Sequence, residues 1–197
     1  MTLALIRHGQ TDWNREDRMQ GSSDIPLNDT GRAQAREAAS ALAGRHWDAI
    51  VSSPLSRARE TAEIIAAELG LPLGPAYPEL VERDYGPHEG DNSTDCIRRY
   101  PNRDYPDAET LDEVVERGLA GLERISADLP NADVLVVAHG TIIRYTLARL
   151  AGHPVDGILN ATVSTVEREP DGAWRVLTVN GVPLEDASTG AGATLNA

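Results

Sequence analysis

An alternation constrains the fold of this chain more than any other feature. Short apolar runs, too brief to be helices, are each followed by a longer stretch with helical spacing. The runs at 3–6, 48–52 and 133–138 (the last containing Val-Leu-Val-Val) read as buried strands. After them come helical patterns at 33–42, with Asp29-Thr30 as N-cap and Gly44 as stop, and at 54–69, with Pro54 at its start and Gly70 at its end. Further helices are predicted at about 110–129 and from Gly140 to about residue 150. Late strands at about 161–168 and 173–179 flank Pro170-Asp171-Gly172 as a hairpin. The proline-rich stretch 72–106 reads as an irregular excursion over the mouth of a site. Strands alternating with helices imply an α/β sandwich with a mostly parallel sheet. Sites in such sheets form at the carboxyl ends of strands.

At 197 residues the chain is expected to be one domain, 1–185. The remainder, 186–197, is rich in Ala, Gly, Ser and Thr and is expected to be a flexible tail. The formal net charge of −13 argues against nucleic acid and anionic membranes as partners. It would also repel phosphate esters at long range, so a phosphate site must be a local cluster of cations. Cys96 is the single cysteine, which excludes an intrachain disulfide and an all-cysteine zinc site and fits a cytoplasmic protein. Its plainest reading is an inert thiol. The N-terminal segment lacks the features of a signal peptide or a membrane span. The five histidines show no HxxxH pairing, so no metal is expected. Among them His88 reads as a surface loop residue.

Three of the predicted strands end in polar clusters: Arg7-His8-Gly9, Ser52-Ser53 with Arg57 a helical turn on, and His139-Gly140. Taken singly each is ordinary. A histidine at a strand end is usually a structural hydrogen-bonder, an arginine on a helix is usually solvated, and Arg7 alone could be a surface ion pair. Their coincidence at one sheet edge makes an anion site, because guanidinium forks match phosphate oxygens. A neutral imidazole there can act as a nucleophile if its other nitrogen donates to a fixed acceptor.

The same residues carry a family resemblance. Leu5-Ile6-Arg7-His8-Gly9-Gln10-Thr11 with Asn14, then Gln20-Gly21, Asp24, Pro26-Leu27, Gly31 and Gln34-Ala35, resemble the opening blocks of the histidine phosphatase superfamily, phosphoglycerate mutase-like branch. Ser52-Ser53-Pro54-Leu55-Ser56-Arg57-Ala58 with Thr61 resembles its second block, and Leu80, Glu82, Gly86 and Glu89-Gly90 its third. Glu109-Thr110 stands where the family often has Glu-Ser, and Val136-Val137-Ala138-His139-Gly140 resembles its last block. The resemblance spans about residues 3–180. It implies a three-layer α/β/α sandwich, a mostly parallel sheet with one antiparallel edge strand. It implies that His8 attacks phosphorus while Arg7, Arg57 and His139 hold the phosphoryl oxygens, with Asn14 as a further donor. Glu82 would be the general acid and then the base, with Asp84 and Glu89 as rivals. Gln20, Gly21 and Gly140 are weaker candidates for phosphate or substrate contacts. No metal and no cofactor are implied, and a homodimer would fit the family.

Such enzymes divide over where the phosphoryl group goes. Only eighteen residues separate Gly90 from Glu109, whereas the family's mutases are typically longer there. This favours a phosphatase acting on a small phosphorylated metabolite over a 2,3-bisphosphoglycerate-dependent phosphoglycerate mutase. Against it, Arg98-Arg99 resembles the arginine pair with which the mutases grip a carboxylate, although Ile97 replaces their usual tryptophan. A catalytically idle binding or regulatory domain is the third alternative, disfavoured because Arg7, His8, Arg57, Glu82 and His139 are all present.

Overall fold

The computed structural model describes residues 1–184, and the expected tail at 186–197 lies outside them. Along the chain run β1 (Thr2–Arg7), α1 (Asp12–Arg15), α2 (Asp29–Leu42), β2 (Ala49–Ser52), α3 (Ser56–Leu69) and β3 (Leu73–Ala76). Two 3₁₀ helices follow, Pro78–Leu80 and Gly86–His88. Then come α4 (Ser93–Arg99), α5 (Leu111–Asp128), β4 (Val134–Ala138), α6 (Gly140–Ala151), β5 (Val163–Arg168), β6 (Trp174–Val179) and β7 (Val182–Pro183). The strands form one sheet in the order β3-β2-β4-β1-β5-β6-β7.

Alternation along the central strands explains the three layers, because successive side chains point to opposite faces. In β1, Leu3 and Leu5 pack with Val114, Leu122 and Ile125 of α5 and Ile142 and Leu147 of α6. Ala4 and Ile6 pack on the other face with Ala38 and Leu42 of α2 and Ala62 and Ile65 of α3. The small alanines on the latter face let α2 and α3 sit close. A third, smaller cluster holds Met19, Tyr85, Cys96 and Tyr105.

Several expectations are corrected. Three antiparallel strands, β5, β6 and β7, extend one side of the sheet, where one antiparallel edge strand was expected. β3 runs parallel to β2 at the opposite edge, inside the stretch read as irregular. Gly74 and Pro75 conceal it, since both are poor strand formers that an edge tolerates. α4 also lies in that stretch. The N-cap of α2 is Asn28, whose side chain accepts from Gly31 N, so the helix starts earlier than its apolar spacing suggests. α3 starts at Ser56 rather than Pro54, and its N-cap residue Leu55 supplies no side-chain hydrogen bond. Asp24 supplies it from afar: Oδ1 accepts from Ser56 N at 2.8 Å and Ser56 Oγ at 2.7 Å. No helix among the described residues is long and apolar enough to cross a membrane.

Candidate active site

The parallel pairs β1–β4 and β2–β4 deliver Arg7-His8, Ser52-Ser53 and His139 to one sheet edge. His8 N continues the ladder to Ala138 O, and Ser53 N to Val137 O. His8, Arg57 and His139 are buried, exposed by 2%, 0% and 0%. The His8 and His139 rings lie 5.2 Å apart.

His8 is oriented by its own loop. Its Nδ1 lies 2.6 Å from Gly9 O, so Nδ1 carries the proton and donates to that carbonyl. This leaves the lone pair on Nε2, which accepts from Arg57 Nε at 3.3 Å. Burial, then the charges of Arg57 and Arg7, push His8 well below the usual histidine range, so the ring is neutral near pH 7. The loop in turn is clamped to α2. A Cβ on Gly9 would collide with the backbone of Gly31, and a Cβ on Gly31 with that of Gln10. Asn160 Nδ2 donates to His8 O at 2.9 Å and to Asn14 Oδ1 at 3.2 Å.

Arg57 is a fully buried cation held by backbone carbonyls. Nη1 donates to Ser23 O at 2.9 Å and Nη2 to Gly21 O at 2.7 Å. Burial lowers it to about 10, offset in part by Glu82, Asp24 and Glu89, so it stays charged. Those carbonyls are fixed by Glu89, whose carboxylate accepts from Ser22 N, Ser22 Oγ and Ser23 N. A side chain on Gly21 would meet Arg83 O and Glu89. Gly21 thus supports Arg57 through its carbonyl.

Three buried polar atoms in this cluster have no hydrogen-bond partner among the described residues, Arg7 Nε, Ser52 Oγ and His139 Nδ1. Arg7 is otherwise anchored through Nη1 to Ile158 O at 2.6 Å, and His139 through Nε2 to Ser53 Oγ at 2.8 Å. Burial, followed by Arg57, also holds His139 well below its usual range. Gly140 leaves room for the Arg7 guanidinium, 3.3 Å from where a Cβ would stand.

Glu82 is 6% exposed and sits on the N-terminus of α6. Oε2 accepts from Thr141 N at 2.9 Å, and Oε1 from Ile142 N at 3.1 Å and Arg83 N at 2.8 Å. Its carboxylate thus caps a helix that has no side-chain cap of its own. Arg117 of α5 pins the backbone around it, donating to Val81 O at 2.6 Å and to Glu109 Oε2 at 2.9 Å. Of the rival acids, Asp84 accepts from Gly86 N in a groove with Glu109 and Glu113, and Glu89 is committed to Ser22 and Ser23.

A cleft of about 350 Å³ opens at this edge, lined by Arg7, Asn14, Gln20, Glu82 and Gly140 among others. Asn14 Oδ1 is engaged by Thr11 N and Asn160, which leaves its amide N–H₂ to donate. Gln20 Oε1 accepts from Thr11 Oγ1 at 2.6 Å. Sequence reasoning missed the outer wall: Arg18, Arg83, Tyr85, Arg103, Arg144 and Asn160. They come from loops and from polar helix positions where no spacing marks them. Arg98 and Arg99 do not line the cleft. Arg98 pairs with Asp95, and Arg99 lies over the Tyr100 ring.

Residues 3–181 match the family model of the histidine phosphatase superfamily (branch 1). The chain belongs to that family. It is 41% identical over 182 residues to the uncharacterized phosphatase PhoE of Bacillus subtilis (strain 168), covering 90% of this chain and 93% of the relative. It is 33% identical over 180 residues to the 2,3-bisphosphoglycerate-dependent phosphoglycerate mutase of Bradyrhizobium diazoefficiens, covering 83% and 87%. The native structure of a mycobacterial glucosyl-3-phosphoglycerate phosphatase superposes with a TM-score of 0.78 at 28% identity, covering 91% of this chain and 98% of that one.

Proposed function

We propose that this protein hydrolyses small phosphate monoesters through a phosphohistidine on His8. The observation that carries the reading is the state of His8: neutral, with Nδ1 tied to Gly9 O and Nε2 facing Arg57. Nε2 attacks phosphorus in line and the P–O bond to the leaving group breaks. Arg7 Nε and His139 Nδ1, both buried and without a partner among the described residues, with Arg57 and the Asn14 amide, hold the phosphoryl oxygens. Glu82 protonates the leaving oxygen. Oε1 takes two backbone N–H groups and Oε2 only one, so Oε2 is the oxygen with capacity to carry that proton. In the second step the Glu82 carboxylate takes a proton from water. The hydroxide adds to phosphorus, the P–N bond breaks, and His8 is restored with release of phosphate.

Hydrolysis is favoured over mutase chemistry by two observations. Arg98 and Arg99 stand outside the cleft, and the chain is 41% identical to a relative named a phosphatase against 33% to one named a mutase. Measuring phosphate release from a panel of esters, beside interconversion of 3- and 2-phosphoglycerate with and without 2,3-bisphosphoglycerate, tests the choice. Release from several esters with slow interconversion is expected. Fast interconversion with little release would overturn it, and binding without either reaction would point to an idle domain.

A further inference from the structure

Outside the active-site cleft, three side chains with metal-binding donor atoms meet. His88 ends the 3₁₀ helix Gly86–His88, Asp91 follows in the loop, and Cys96 is the buried residue of α4. One imidazole nitrogen, one carboxylate oxygen and the Cys96 Sγ all lie within 4.8 Å of one another. The three line a separate cavity of about 200 Å³, and none of its lining residues lines the active-site cleft. The histidine is the telling member. Its Nε2 is buried with no hydrogen-bond partner among the described residues, and its Nδ1 stands 3.5 Å from Asp91 Oδ2. The ring is held in place by Tyr100 and Tyr105, at centroid distances of 5.4 and 5.8 Å. A positioned imidazole with one buried, unpartnered nitrogen and the other beside a carboxylate has capacity left for a ligand.

We infer that His88, Asp91 and Cys96 form a site for one divalent cation of borderline softness, of which Zn²⁺ is the best match. Thiolate, imidazole and carboxylate together suit Zn²⁺, whereas Mg²⁺ and Ca²⁺ require oxygen ligands. Three protein ligands leave a fourth position for water. Zinc–ligand lengths of about 2.0–2.3 Å place tetrahedral ligands roughly 3.5 Å apart, so the side chains close by about 1 Å on binding. Arg99 also lines the cavity but is drawn over Tyr100, and Asp95 is occupied by Arg98. The ion is remote from the phosphoryl chemistry. It would join the 3₁₀ helix to α4, whose Ser93 and Ile97 form part of the cleft wall, and so stiffen that wall. The H-x₂-D-x₄-C spacing matches no pattern that the sequence alone singled out.

The single cysteine makes the test specific. Metal-free protein is titrated with Co²⁺, a spectroscopic substitute for Zn²⁺. One equivalent should raise a sulfur-to-cobalt charge-transfer band, which Zn²⁺ abolishes by displacement. His88→Ala should weaken Co²⁺ binding about tenfold or more. Cys96→Ser should remove the band, and His8→Ala should retain it. Zn²⁺ should also raise the thermal midpoint of the wild type and not that of His88→Ala, a readout that holds if Cys96→Ser fails to fold. Absence of the band at saturating Co²⁺, Co²⁺ binding without it, or equal Zn²⁺ shifts in wild type and His88→Ala would each overturn the inference.

Discussion

At the scale of single residues, the roles proposed for His8 and Glu82 draw on stability and chemistry in different proportions. His8 makes two hydrogen bonds, donating to Gly9 O and accepting weakly from Arg57 Nε, and Arg57 and His139 are held by other partners as well. His8→Ala should therefore lower kcat by a factor on the order of 10⁴ or more while leaving the far-UV dichroism unchanged. Retention of a tenth of the wild-type rate on any good substrate would remove His8 from the role of nucleophile. Glu82 differs, because its carboxylate accepts three backbone N–H groups. Glutamine would keep the carbonyl at Oε1 but turn an N–H₂ toward Thr141 N–H. We expect Glu82→Gln to lose about 1–3 kcal/mol of stability, read from urea midpoints. It should also lose about 10²–10⁴ in kcat for esters with poor leaving groups, and much less for nitrophenyl esters. Equal losses across leaving groups would argue that Glu82 acts only as a cap.

Among elements, the segments that bear regular periodicity were legible and those tied by side chain to backbone were not. Leu3, Leu5, Ala4 and Ile6 announce a strand buried on both faces, and Gly70 and Gly152 in left-handed geometry end α3 and α6. The strand-end rule then brings His8, Ser53 and His139 together without further information. By contrast, the stretch from 77 to 110 is organised by Arg83 reaching Glu109 O, by Glu89 reaching Ser22 and Ser23, and by Arg117 reaching the Val81 carbonyl. None of these contacts has a period, so Arg83, Arg103 and Arg144 at the cleft carried no sequence signal. Arg117 gives this layer a test. It is bonded to Glu109 through both Nε and Nη2 and to the Val81 and Glu82 carbonyls, which would make it a positioning residue for the acid proposed at Glu82. Arg117→Ala should lower stability by about 2 kcal/mol and kcat by about tenfold, with the loss in rate growing as the leaving group becomes poorer. A single Lys amine cannot replace the fork, so Arg117→Lys should recover little. A rate loss independent of the leaving group would show that Arg117 does not act through Glu82.

For the whole molecule, the decisive quantity is the contrast between a chain of net charge −13 and a buried pocket holding Arg7, Arg57 and two histidines that stay neutral. Burial is the first cause of both histidine shifts and Arg57 the second. Neither ring takes a proton until the pH is well below the unfolded value of about 6.5. Below that pH the unfolded chain binds up to two protons that the native pocket refuses, so the stability of the native state falls as the pH falls. This contribution is fully present above about pH 6.5 and is lost at roughly 1 kcal/mol per pH unit for each histidine. The carboxylates held low by hydrogen bonds, such as Glu89 and Asp133, begin to act only nearer their own unfolded values around pH 4. The interval from pH 6.5 to 5 therefore reports mainly on the pocket. Urea midpoints measured across it should decline steeply for the wild type. His8→Ala removes one of the two protons at issue, so its decline should be about half as steep. Parallel declines in the two proteins would show that His8 binds its proton equally in both states and is not the neutral imidazole that attack on phosphorus requires.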